Sequence, residues 1–208
     1  MKFWTSPRFT SEKLLSGKLE DSIDIYEDRI KGWFLDHARS LLAAPYSEIA
    51  VLQLALGYFE GYAIYRNGVD SKGRSKKFFR QAFMEVFPYA KRGKVQGIDP
   101  SPDAIEKLAD LLYEEARCGL FHEGMIRHRI LLAKASAPIS VSAHKTTGEI
   151  GAIVIDPGKF LGAVEVHFTD YIAKLRDTKN PDLRSKFNAA WELKNPTGAL
   201  PLPPGGIP

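Results

Sequence analysis

The segment Arg117-Cys118-Gly119-Leu120-Phe121-His122-Glu123-Gly124 sets a permanent cation five residues ahead of an imidazole. A guanidinium stays charged at physiological pH and offers a planar fork of donors to a phosphate. An imidazole takes or gives a proton near neutrality. The pair suits chemistry on a phosphodiester, with His122 as general base or acid and Arg117 as the clamp for the developing negative charge. An ordinary structural role competes for each: Arg117 can offset the negative end of a helix, and His122 can pack at an interface. His122-Glu123 with His128 does not have the His-Glu-x-x-His spacing of zinc hydrolases. The only cysteine, Cys118, leaves no thiolate cluster for a zinc site and no intramolecular disulfide. The pattern calls for no metal and no cofactor. As a small side chain with no positioned base in view, Cys118 reads as packing rather than as a nucleophile.

Other candidates surround this pair. From Lys72 to Lys94 run Lys72, Arg74, Lys76, Lys77, Arg80, Lys91, Arg92 and Lys94, with Glu85 as the only acid among them. This reads either as a solvated helix face or as a patch in which Lys76, Lys77, Arg80, Arg92 and Lys94 track phosphates. Arg127 and Arg129 follow the motif and are further candidates for phosphate contacts. Glu60 stands in an apolar stretch, where a carboxylate needs a partner. That partner is either any cation that holds the helices together or Arg117 itself, whose guanidinium it would fix. His37, His144 and His167 belong to no constellation and read as structural.

Helical elements must position these groups. Residues 20 to 43 predict a helix, with Ile23, Tyr26, Ile30, Trp33, Phe34 and Leu41 near helical spacing. After Pro45 a second helix runs to about Arg66 and is apolar nearly all round, which suits the centre of a bundle; Asn67-Gly68 ends it. Residues 73 to 87 predict a short basic helix. Ser101-Pro102-Asp103 opens the next, with Ser101 as N-cap and Pro102 at the first helical position, and its apolar stripe runs down to Arg117. Residues 120 to 134 read as helical again. Ile139 to Ala143 and Ile150 to Ile155 are β-branched runs that predict a hairpin. Asp156-Pro157 and Asn180-Pro181 open two last helices. The reading is a mainly α, helical bundle with a small inserted β-hairpin at about 139–155, an N-terminal extension over 1–19, a helical domain over 20–193 and a proline-rich tail over 194–208.

Composition bounds the rest. The 208 residues are 44% hydrophobic and carry a formal charge of +4. That supports a folded core, and the mild basicity is weak support for a nucleic-acid partner. No stretch of about 18 apolar residues occurs, and the first residues lack the apolar core of a signal peptide, so a cytoplasmic protein with no membrane partner is expected.

With these elements in place, the chain over residues 20 to 178 resembles the HEPN superfamily (higher eukaryotes and prokaryotes nucleotide-binding), small helical bundles with an Arg-x4–6-His motif late in the chain. Arg117 and His122 match that motif; Leu111 to Ala116, Glu123-Gly124 and the helix from Lys159 to Asp177 look like family surroundings, and Glu60 matches the acid that an earlier helix often carries. The resemblance implies a metal-independent endoribonuclease, a toxin or defence effector, with RNA as substrate. It also implies a homodimer in which two motifs face each other and supply the second histidine, and an antitoxin protein as a further partner. Its alternatives are a non-catalytic RNA- or nucleotide-binding module and a helical protein–protein interaction domain. Many family ribonucleases carry a polar residue, often Asn, after the arginine; here Cys118 stands there, and a thiol hydrogen-bonds weakly.

Overall fold

A computed structural model describes residues 3–88, 95–97, 101–144, 147 and 149–196. The chain is mainly helical, with a small four-stranded sheet. Its helices are α1 (Ser11–Leu14), α2 (Leu19–Ile30), α3 (Asp36–Leu41), α4 (Glu48–Asn67), α5 (Ser75–Val86), α6 (Pro102–Leu111), α7 (Pro157–Arg176) and α8 (Pro181–Lys194). Wide π-type turns join α2 to α3 over Lys31–Leu35 and extend α6 over Leu112–Arg117, followed by another over Gly119–Glu123. The strands are β1 (Val95–Gln96), β2 (Ile130–Leu132), β3 (Ile139–Ala143) and β4 (Ile150–Ile155).

The apolar helix predicted for the bundle centre is α4. It packs against α3, α5, α7 and α8. Val51, Leu52, Ala55, Leu56, Phe59 and Ala63 are fully or almost fully buried along it. Phe59 lies among Phe79, Phe83 and Phe160 at ring-centroid distances of 5.1, 5.9 and 5.8 Å, geometries in which aromatic pairs add to simple area burial. Gly68 adopts φ +75° and closes α4 in the left-handed conformation that glycine allows without a Cβ penalty.

The caps follow the sequence. Ser101 Oγ accepts the Ala104 N–H at 3.1 Å, with Pro102 at the first helical position of α6. Asp156 Oδ1 accepts the Lys159 N–H at 3.0 Å at the start of α7, and Oδ2 accepts the Ala135 N–H at 3.1 Å.

Several readings need correction. The helix predicted over 20–43 is continuous only through the Lys31–Leu35 turn. There Gly32 leaves room for Pro7: a Cβ at 32 would stand 2.5 Å from Pro7 Cγ. The wide turn shifts the helical register, so Trp33 and Phe34 leave the inner stripe and stand partly in solvent. Residues of the expected N-terminal extension pack on α2, with the Arg8 N–H and Nε bonded to the Asp28 carboxylate. Residues 120 to 134 are not a helix. The wide turn stops at Gly124, which takes φ +72°, and the chain then extends into β2.

The predicted hairpin is present, with Ile139 opposite Ile155 and Val141 opposite Ile153. It is the middle of a larger sheet of order β1-β3-β4-β2, whose edges are two short parallel strands. Part of the hairpin tip and the tail residues 197–208 lie outside the described residues. Among the described residues, no helix is long and apolar enough to cross a membrane.

Asp156 satisfies two amide donors from a nearly buried position. Asp156→Ala should therefore cost about 2–4 kcal/mol, the sum of a lost N-cap and an orphaned N–H. Urea unfolding with unchanged m-value is the measurement.

Candidate functional site

The site is built on the one carboxylate that α4 carries into the bundle. Glu60 Oε1 accepts the Ser71 hydroxyl at 2.7 Å, and Oε2 accepts Arg117 Nη2 at 2.9 Å. Ser71 is buried in the α4–α5 connection. The Glu60 and Arg117 side chains are 19% and 22% exposed, so the pair sits at the protein surface boundary rather than in the core. The Arg117 guanidinium also lies 4.8 Å from the Phe121 ring centroid and 5.5 Å from that of Tyr113. A carboxylate and two rings thus hold one guanidinium. Arginine has five N–H donors, and only Nη2 is bonded among the described residues.

Backbone geometry sets where His122 falls. On an α-helix, residues five apart point roughly 140° away from each other. The π-type turns bond i to i+5 and so widen the helix locally. The turns over Leu112–Arg117 and Gly119–Glu123 bracket this spacing. His122 is exposed there and makes no hydrogen bond among the described residues. Burial holds the Tyr113 hydroxyl above its ordinary value, with Cys118 adding to the effect.

The chain after His122 folds back on the motif. The Met125 N–H bonds the Gly119 carbonyl at 3.3 Å, and the Arg127 N–H bonds the Glu115 carbonyl at 3.0 Å. Gly119 is required by this return: a Cβ there would collide with the Met125 carbonyl oxygen. Arg127 pairs with Glu123 at 2.5 Å, and its hydrogen bond holds the Glu123 carboxyl below the ordinary carboxylate value. Arg129 Nε lies 3.3 Å from Oε1 of Glu115, a carboxylate only 8% exposed. Both cations expected to contact phosphate are therefore engaged beside the motif.

Two cations of the basic run, Lys76 and Arg80, are likewise paired with acids. Lys76 lies 2.7 Å from Glu114 and 3.2 Å from Asp110, and the Glu114 bond raises the Lys76 ammonium above its ordinary value. Arg80 holds Asp110 through Nε and Nη2 at 2.8 and 2.9 Å and also pairs with Glu106. Glu106, Asp110 and Glu114 repeat at four-residue spacing and face α5, so acids distant in sequence neutralise cations that look isolated in it. Lys77 is exposed, while Arg92 and Lys94 lie outside the described residues.

Ser71, Tyr113, Phe121 and Glu115 belong to this site, and reading the sequence by residue type passed over them. Phe121 had a usable signal, since it stands four residues after Arg117 on a helical stretch; Ser71 had none. His167, expected to be merely structural, bonds the Tyr58 hydroxyl through Nδ1 at 2.8 Å and packs edge-on to Tyr62. No three His, Cys, Asp or Glu side chains are grouped to hold a metal ion among the described residues. No protein-family model, curated protein or solved structure matched this chain in the comparisons made.

The return segment makes Gly119→Ala a sensitive change. Because the blocking atom is backbone, we expect a loss of about 1–3 kcal/mol and faster hydrogen exchange at the Met125 and Arg127 amides. A second outcome concerns α5: Lys76→Glu with Arg80→Glu should lower stability by about 1–2 kcal/mol through lost pairs and new like-charge contacts. Thermal melts should show this as a lower Tm.

Proposed function

We propose that this chain is a HEPN-type endoribonuclease that cleaves RNA without a metal ion and works as a homodimer. The observation that carries the reading is the Arg117 guanidinium held by Glu60, Tyr113 and Phe121, with an exposed imidazole five residues on in the sequence. A fixed donor group costs no reorganisation when charge develops on a phosphate, and such preorganised donors are a large term in catalysis. His122 takes the proton from a ribose 2′-hydroxyl, and the 2′-oxygen bonds to phosphorus. The bond from phosphorus to the 5′-oxygen breaks, and that oxygen receives a proton from the imidazolium of His122 of the partner subunit. Arg117 binds the non-bridging oxygens throughout. The products are a 2′,3′-cyclic phosphate and a 5′-hydroxyl.

His122→Ala tests this directly. The side chain is exposed, so the variant should fold normally while cleavage falls about 100- to 10,000-fold, the range for a lost general acid–base group. Activity should persist in EDTA, and DNA, which lacks the 2′-hydroxyl, should resist. Arg117→Ala should lose activity and also some stability, because it strips Glu60 of its cation. Wild-type rates in the His122 variant, or equal cleavage of DNA, would refute the mechanism. RNA binding with no cleavage by the wild type would replace it with a binding module.

A further inference from the structure

Phe121 stands one residue before His122 and is 47% exposed, although it is a large apolar side chain in an ordered turn. It is not loose: the Arg117 guanidinium lies 4.8 Å from its ring centroid, so the cation fixes the ring. Nearly half of the residue's surface is left to solvent. The chain therefore presents an aromatic surface directly beside a phosphate-binding fork. A nucleotide presents the complementary arrangement, a flat base joined through one sugar to a phosphate. From this juxtaposition, and resting on the phosphate role proposed for Arg117, we infer that Phe121 is the stacking platform for a base next to the phosphate that Arg117 holds.

The inference specifies the form of the ligand. A base can stack on a protein ring only when it is free of its partner strand. In duplex RNA the bases are paired and the deep groove excludes side chains. The ligand is thus a single strand or a loop, not a duplex. Stacking reads the π-face that all bases share, so Phe121 supplies affinity for unpaired RNA without strong base preference. Sequence preference has to come from other contacts.

The test uses the full chain in a His122→Ala background, so that bound RNA stays intact. The probe is a short single-stranded RNA carrying 2-aminopurine, whose fluorescence is quenched when it stacks. Adding Phe121→Ala should weaken binding about 5- to 150-fold, the effect of removing one stacked base, and abolish quenching. Phe121→Trp should restore both. Phe121→Leu keeps apolar bulk and removes the aromatic face, so it should behave like the alanine variant while melting like the parent. The same RNA annealed to its complement should bind equally to all four proteins.

Unchanged single-strand affinity in both the alanine and leucine variants would overturn the inference, whether or not the wild type cleaves. So would loss of binding that tracks conversion of a dimer to a monomer in light scattering, since Phe121 would then be an interface residue. If the wild type fails to cleave but quenching depends on Phe121, the stacking site stands and the catalytic reading falls.

Discussion

Burial of α4 is the constraint on which the structure depends. The exposed side of this helix is a narrow strip that includes Gln53 and Gly57, and each polar atom withdrawn from water elsewhere on it must find a partner or cost free energy. The polar groups of α4 do so in different directions. The Tyr58 hydroxyl meets His167 on α7, the Tyr62 hydroxyl meets Glu85 on α5, and Asn67 meets Gln81 and the Ala63 carbonyl. Glu60 reaches Ser71 and Arg117. Apolar packing brings these helices together at low specificity; the polar tethers set which atoms face one another. Arg117 is therefore oriented by a half-buried carboxylate at the edge of the bundle.

The second determinant is backbone width. An Arg-x4-His spacing on a regular α-helix would splay the two side chains to different sides. Here one π-type turn ends at Arg117 and a second spans Gly119–Glu123, so the segment departs from a regular α-helix, and the glycines explain how the chain leaves the second turn. Gly119 lets the Met125 carbonyl approach, and Gly124 turns the chain back. From there Arg129 is tied to Glu115, its carbonyl accepts the Ile153 N–H at 2.8 Å, and Ile130 pairs with Ile153. The sheet, which looks peripheral to a helical bundle, thus anchors the far end of the motif.

Local signals made much of this legible and non-local ones did not. The cap at Ser101, the helix start at Asp156-Pro157, the apolar run of α4 and the β-branched hairpin strands are written in neighbouring residues, and each is present where expected. The partner of Glu60 was legible as a choice, because a carboxylate amid apolar residues demands a cation and Arg117 was the one with a reason to be held. The π-type turns had no residue signature to read, and they displaced Trp33 and Phe34 from the predicted inner stripe. The helix expected over residues 120 to 134 does not form beyond Glu123; the positive φ of Gly124 and parallel pairing with β4 end it. The ion pairs of Lys76 and Arg80 were out of reach of a local reading for a similar reason. The charges of the basic run stand against acids nearby in sequence, while the acids that pair with Lys76 and Arg80 sit on α6 and the turn that extends it.

That neutralisation shapes how the site can work. Around the motif each described arginine has an acid: Arg117 has Glu60, Arg127 has Glu123 and Arg129 has Glu115. Such a surface projects little long-range field, because opposed charges a few ångströms apart largely cancel beyond a Debye length. On the reading proposed above, affinity for RNA then comes less from counterion release than from short-range contacts that exist only once the ligand is seated. These are the donors that Glu60 leaves open on Arg117 and the ring surface that Arg117 holds in place. The same ion pairs that weaken the field remove the conformational freedom of the groups that make those contacts. A site of this kind gives up attraction at a distance for geometry at contact, and transition-state stabilisation depends on geometry at contact.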